Sequence, residues 1–179
     1  MEKKHWEKIN SIDGYKGKWI DLKLEDVKVP DGNILHYESC YYHREGVGIV
    51  AENIIKEIIL VKSYRFISNF TGWEIPAGTV PPDQHHSDCI IQELREEAGC
   101  EIQKERLEYL GYFYPSIGSS NQKFHCYYTK GVTQTRKHRD TNEVIETGWF
   151  TRKEIKKMIL DFEIKDGFTI ALLSNLLLK

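Results

Sequence analysis

The sequence predicts a mixed α/β sandwich. Three observations carry that prediction. Alternating apolar and polar residues before residue 45 read as paired strands, strand-like segments flank a helix centred on Glu93, and two further helical segments close the chain. A length of 179 residues fits one domain with a sizeable core. Within it, residues 1–45 are expected to supply N-terminal strands and residues 46–179 the core. Hydrophobic residues make up 40% and charged residues 29%, and the net charge of −2 gives no reason to expect nucleic acid or an anionic membrane as partner. No apolar run reaches the roughly 18 residues of a membrane helix, and the polar N-terminus does not read as a secretory signal. The four cysteines (Cys40, Cys89, Cys100, Cys126) form no CxxC pair. Reduced thiols in a cytoplasmic protein without a zinc site are expected.

The elements follow in order. Residues 1–16 are polar and read as a lead-in, with Trp6 the one residue able to dock. Residues 18–29 alternate (Ile20, Leu22, Leu24, Val27, Val29), Pro30-Asp31-Gly32 turns the chain, and a second alternating run follows to Tyr42. The two form an N-terminal β-hairpin. Residues 46–51 and 54–66, rich in β-branched residues, read as buried strands joined at Glu52-Asn53. Pro76 keeps residues 72–75 extended, and Gly78 supplies unusual backbone freedom.

A helix is predicted from His86 or Ser87 to Ala98, with Ile90, Leu94 and Ala98 as its apolar stripe and Gly99 as its stop. One or two strands lie within residues 102–114. An irregular loop over residues 115–121 precedes a strand over residues 123–128. Residues 130–143 form a long polar loop, and residues 144–150 another strand. Thr151 and Glu154 have the spacing of a capping box for a helix reaching Leu160. Asp166 or Gly167 opens a last apolar helix.

Chemistry concentrates between Trp73 and Cys100. Glu93, Glu96 and Glu97 stand at i, i+3 and i+4, which puts three carboxylates on one face of a helix. Like charges at that spacing repel, and a purely structural helix gains nothing from them. A hard divalent cation converts the repulsion into binding. Taken alone, the run reads first as the solvated face of an ordinary helix. Glu93 and Glu97 border the apolar stripe, which places the acidic patch at the edge of the core.

Gly78, Glu93, Leu94, Glu96, Glu97 and Gly99, with Cys100 in the last apolar place, resemble a Nudix box: Gly, five residues, Glu, seven residues, Arg-Glu-apolar-x-Glu-Glu-x-Gly-apolar. Gln84 stands where that pattern has Glu, and Gln92 where it has Arg. The flanking segments LVKSYRF, WEIPAG, LGYFYPSIGSSNQKFH and EVIETGWFTRKEI are similar to the ADP-ribose pyrophosphatase branch, and the likeness runs from about Gly17 onward.

The resemblance implies a Nudix-type α/β/α sandwich. It also implies hydrolysis of the pyrophosphate bond of a nucleoside diphosphate sugar with Mg²⁺ or Mn²⁺, in a homodimer whose N-terminal strands reach the partner. ADP-ribose or an ADP-sugar is the favoured substrate. Another NDP-sugar such as GDP-mannose, or a non-catalytic nucleotide-binding module, is the alternative.

It assigns metal ligation to Glu93 and Glu97, with the Ala77 carbonyl, and to Glu96 either ligation or the role of base. Where the branch carries Asp-Glu, this chain has Asn121-Gln122. An amide accepts no proton at neutral pH, so the general base moves to Glu96, Glu143 or Glu146. His125 reads as a packed histidine. Arg65 and Glu74 match substrate-contacting positions, and an ion pair between them is compatible with that. Trp19, Tyr37 and Trp73 are candidates for stacking on a base. His85 and His86 are expected to be exposed.

Overall fold

The computed structural model describes residues 5–136 and 142–178, so the expected polar loop over residues 130–143 lies partly outside it. The chain forms two compact units: one from the chain up to Glu45 together with Tyr114–Lys123, the other from Gly46–Phe113 and the chain from Phe124 onward.

In the first unit, three antiparallel strands lie in the order β1 (Glu7–Lys16), β2 (Ile20–Lys28), β3 (Ile34–Tyr42). The hairpin β2–β3 turns at Gly32, whose φ of 93° is open to glycine. The stretch before it is not a lead-in but β1, paired along β2 from Glu7 opposite Lys28 to Lys16 opposite Asp21. Its polar sequence hides the strand because every residue of β1 is exposed, so no apolar alternation is needed. Hydrogen bonds take over instead. Buried Glu25 of β2 accepts from Lys8 and Ser11 of β1 and from Tyr41 of β3. Burial alone raises the Glu25 pKa, but hydrogen bonds from Lys8, Ser39 and Tyr41 outweigh it and hold the group down at about 2. Trp6 packs edge-on against Tyr37. The segment 114–123 lies along β3: the Cys40 N–H donates to the Ser119 carbonyl at 2.8 Å. The Asn121 side chain accepts from the Tyr42 N–H and donates to the Tyr42 carbonyl.

The second unit holds β4 (Gly46–Glu52), β5 (Glu57–Arg65), β6 (Phe70–Glu74), β7 (Ala77–Thr79), β9 (Glu108–Phe113), β10 (Phe124–Lys130) and β12 (Val144–Thr151) in one mixed sheet. The order is β12-β5-β4-β10-β9, with β6 beside β5 and β7 beside β4. Only β10 against β4 is parallel among these pairings. The short strands β8 (Cys100–Glu101) and β11 (Thr133–Gln134) pair separately.

Helices cover both faces, which is why β4 and β5 read as continuous apolar runs. Val47, Ile49, Ala51, Ile59 and Val61 pack with Ile90, Leu94 and Ala98 of and just after α1 (His86–Glu97). The alternate residues Val50, Ile58 and Leu60 pack with α2 (Arg152–Leu160) and α3 (Gly167–Leu177) through Ile155, Met158, Leu172, Leu173 and Leu176. Each such fully buried aliphatic side chain contributes about 1.5–3 kcal/mol.

Caps set the helix ends. The His85 ring accepts from the Ser87 N–H, Gly99 ends α1 with φ 66°, Thr151 and Glu154 close the expected capping box, and Asp166 accepts from the Thr169 N–H. The turn before β5 lies later than the sequence indicates. Asn53 Oδ1 accepts from the Ile55 and Glu57 N–H groups, so Ile54 and Ile55 project into solvent rather than starting the strand. No helix among the described residues is long and apolar enough to cross a membrane.

Candidate functional site

The last two turns of α1 face the β6–β7 bend, and the bend decides how the carboxylates lie. Pro76 breaks the strand, and its carbonyl accepts from the Ile49 N–H, so Ala77 and Gly78 are pinned beside β4. The Ala77 N–H then donates to Glu97 Oε2 at 2.8 Å. Glu97 is 6% exposed. Burial pushes its pKa up to about 8; the Glu93 and Glu143 charges push the same way, while the Ala77 N–H and Arg65 oppose them.

Glu93, one turn earlier, lies directly over Gly78, filling the space a side chain there would take. Cys89 Sγ touches its carboxylate at 4.0 Å, but burial raises that thiol to about 12, so it is not a nucleophile.

Glu96 is more open. Gln92 Nε2 donates to it at 3.2 Å, and Gln84 Nε2 donates to Gln92 Oε1 at 3.3 Å. The two amides thus form a neutral chain ending on Glu96, where the resembled pattern has an acid and a guanidinium. Gln84 spends its amide nitrogen on this chain and keeps its carbonyl oxygen.

Arg65, at the end of β5, grips Glu74 of β6 with Nε at 3.1 Å and Nη2 at 2.5 Å. The bidentate bond holds the guanidinium above its ordinary range. Arg65 is near enough to Glu97 to act on its charge. Glu93, Glu97, Ala77, Arg65, Glu74 and Glu143 therefore belong to one neighbourhood. Glu146, by contrast, faces Lys62 at 3.5 Å.

The aromatic candidates separate. Trp73 packs on Phe150 at 4.8 Å in the α2–α3 layer and is a core residue. Trp19 and Tyr37 belong to the first unit. Trp19 is half exposed, with Lys18 and Arg44 over its ring. His125 is buried and bonded to Tyr109, as its strand position indicates. His86 departs from expectation: it stacks on His125 at 4.0 Å and bonds the Tyr127 hydroxyl, because the first turn of α1 tips it onto β10. His85 stays exposed as the helix cap.

Sequence reasoning missed Phe70 and Lys165. Both line a cleft beside Arg65, and no local pattern marks an exposed lysine in an inter-helix loop.

Among the described residues no three His, Cys, Asp or Glu side chains form a ready cage for a metal. The chemistry of the donor set nevertheless fits a hard divalent cation. Its oxygens are carboxylate and amide, and burial first, with the Glu93 and Glu143 charges adding to it, raises the Glu97 pKa to about 8. A dication counters that shift.

The NUDIX domain profile matches residues 42–170. The chain is 29% identical to an ADP-ribose pyrophosphatase of Bacillus subtilis, covering 92% of this chain and 89% of that one. It is 27% identical to an ADP-ribose pyrophosphatase of Mycobacterium tuberculosis (96% and 83%), and 27% identical to a methanol dehydrogenase activator of Bacillus methanolicus (92% and 89%). A solved structure described as an ADP compounds hydrolase superposes with a TM-score of 0.83 at 16% identity, over 97% of this chain and 92% of that one, and shows the shared fold. With the matched region spanning well over half of its length, and with the carboxylate helix set against the Gly78 bend inside it, the chain belongs to the Nudix family, in its ADP-ribose pyrophosphatase-like branch, as a pyrophosphohydrolase.

Proposed function

We infer that the protein hydrolyses the pyrophosphate bond of a nucleoside diphosphate sugar, ADP-ribose or an ADP-sugar before others, to a nucleoside monophosphate and a sugar phosphate. The observation that carries this reading is the buried Glu97 carboxylate, anchored by the Ala77 N–H and crowded by Glu93 and Glu143. Glu93 and Glu97 hold a divalent cation, Mg²⁺ or Mn²⁺, with Glu96 and the Ala77 carbonyl as further ligands. When bound, such a cation neutralises phosphate charge and acidifies a water.

The remaining work falls to the chain itself. Glu74 fixes the Arg65 guanidinium so that its other edge meets a phosphate oxygen with little loss of side-chain freedom. Glu143 takes the proton of the attacking water, since Asn121 and Gln122 cannot. Trp19 is the base-stacking residue of the first unit. We further read the protein as a cytoplasmic homodimer of single-domain chains that pair through the strands of residues 1–45, where Ile9, Ile12 and Tyr15 are exposed.

A second substrate reading has its own support. Similar chains carry other names, among them a hydrolase of a CMP-linked phosphonate in Streptomyces rubellomurinus, and Gln84 and Gln92 change the charge around Glu96. GDP-mannose or another NDP-sugar is then the substrate. The test is a panel of NDP-sugars and dinucleotides with Mg²⁺ or Mn²⁺, read as released monophosphate. ADP-ribose should turn over fastest; no turnover of any member sinks the reading.

A further inference from the structure

Beside Arg65 the second unit opens a cleft of about 510 Å³, bounded by the β5–β6 turn on one side and the start of α3 on the other. Its wall carries two cations, Arg65 and Lys165, and two acids, Glu74 and Asp166. Both acids have partners: Glu74 accepts both bonds from Arg65, and Asp166 accepts the Thr169 N–H as the cap of α3 and also acts on the Arg65 charge. Asn69 Oδ1 accepts from the Tyr64 hydroxyl. The cations are less committed. Arg65 uses Nε and Nη2 on Glu74, which leaves the Nη1 edge for the cleft. Lys165 sits with Nζ over the Phe70 ring at 4.5 Å, a contact that holds the ammonium at the cleft without neutralising it. The Lys165 ammonium and the Arg65 Nη1 edge are thus the donors this cleft offers an anion, beside the partnered carboxylates of Glu74 and Asp166.

We propose that Lys165, steadied on Phe70, and the outer edge of Arg65 form a phosphate subsite in this cleft that holds the sugar phosphate half of the substrate. Lys165 is thus a specificity-determining residue, and the class of ligand is a phosphorylated sugar. The identity of the ligand rests on the hydrolase reading above; the anion preference rests on the cleft alone. A pentose phosphate fits the volume, and a neutral sugar forgoes both charges.

The test uses the full chain without added cation and measures binding of ribose 5-phosphate, inorganic phosphate and ribose by calorimetry. Ribose 5-phosphate is expected to bind, inorganic phosphate to compete with it more weakly, and ribose not to bind. Lys165→Met keeps the aliphatic stem on Phe70 and removes the charge; it should weaken ribose 5-phosphate by about tenfold. Lys165→Arg should restore it. Equal affinity in Lys165→Met, ribose binding as tightly as its phosphate, or no competition by inorganic phosphate overturns the proposal. The two readings fail separately. If no NDP-sugar is hydrolysed yet ribose 5-phosphate binding depends on Lys165, the hydrolase assignment falls and the subsite stands. If hydrolysis proceeds and Lys165→Met binds unchanged, the subsite falls alone.

Discussion

The Glu93 carboxylate occupies the space into which a side chain at Gly78 would project. A glycine in β7 thus decides where the carboxylate proposed as a metal ligand can lie. Gly78→Ala should drive Glu93 off the bend and cost about 1–3 kcal/mol of stability through overpacking. Turnover should fall by about a hundredfold or more, since small misplacements at a reacting centre cost that much. Thermal melting and steady-state kinetics on the same preparation check this; a variant melting like wild type with full turnover contradicts it.

Glu97 predicts a pH dependence whose sign follows from its raised pKa. An ordinary glutamate titrates near 4.5, whereas here the folded state holds the proton up to about 8. Its contribution to stability is complete below the ordinary value and is lost as pH rises through 8 in metal-free protein. If Glu97 is the metal ligand proposed above, a cation displaces that proton, and Mn²⁺ affinity should rise by roughly tenfold per pH unit below about 8 and then level. Glu97→Gln should flatten both curves and abolish most turnover. Melting and Mn²⁺ titration between pH 5 and 9 read them directly.

Asn121 stands where the branch carries an acid, and its place explains the amide. It both accepts from the Tyr42 N–H and donates to the Tyr42 carbonyl, which a carboxylate cannot do. Asn121→Asp should cost about 1–2 kcal/mol, or roughly 2–4 °C in Tm, without creating a general base. A gain in turnover would assign the residue to catalysis instead.

Glu25 ties three strands together. Its depressed pKa gives stability that is present above about 4.5 and lost as pH falls through about 2. Glu25→Ala should remove about 1–3 kcal/mol by leaving the Tyr41 and Ser11 hydroxyls without their acceptor. Acid unfolding of the variant should then lose its lowest-pH step.

Much of this was readable in the chain. The capping box at Thr151 and Glu154, the stop at Gly99 and the doubly buried run in β4 each follow from local chemistry and appear where that chemistry puts them, and β5 does so apart from its later start at Glu57. The late start of β5 is a local effect of the Asn53 turn, whereas the other failures share a cause, which is that partners distant in sequence overrule local pattern. The polar stretch at Glu7–Lys16 becomes a strand because Glu25 waits on the neighbouring one. His86 reads as exposed until β10 supplies His125 and Tyr127 beneath it. Lys165 has no sequence signal at all; only the fold brings it to Phe70.

The parallel pairing of β10 with β4 has a bearing on how the protein is made. Phe124 aligns with Gly46, so on the order of 80 residues must leave the ribosome between the two partners, about 4–16 seconds at usual elongation rates. The segment 114–123 that lines β3 arrives just as late. For that interval the apolar β4 and β5 stand as a sheet with an open edge, so nascent chains stalled before residue 130 should be chaperone clients and the finished protein should not.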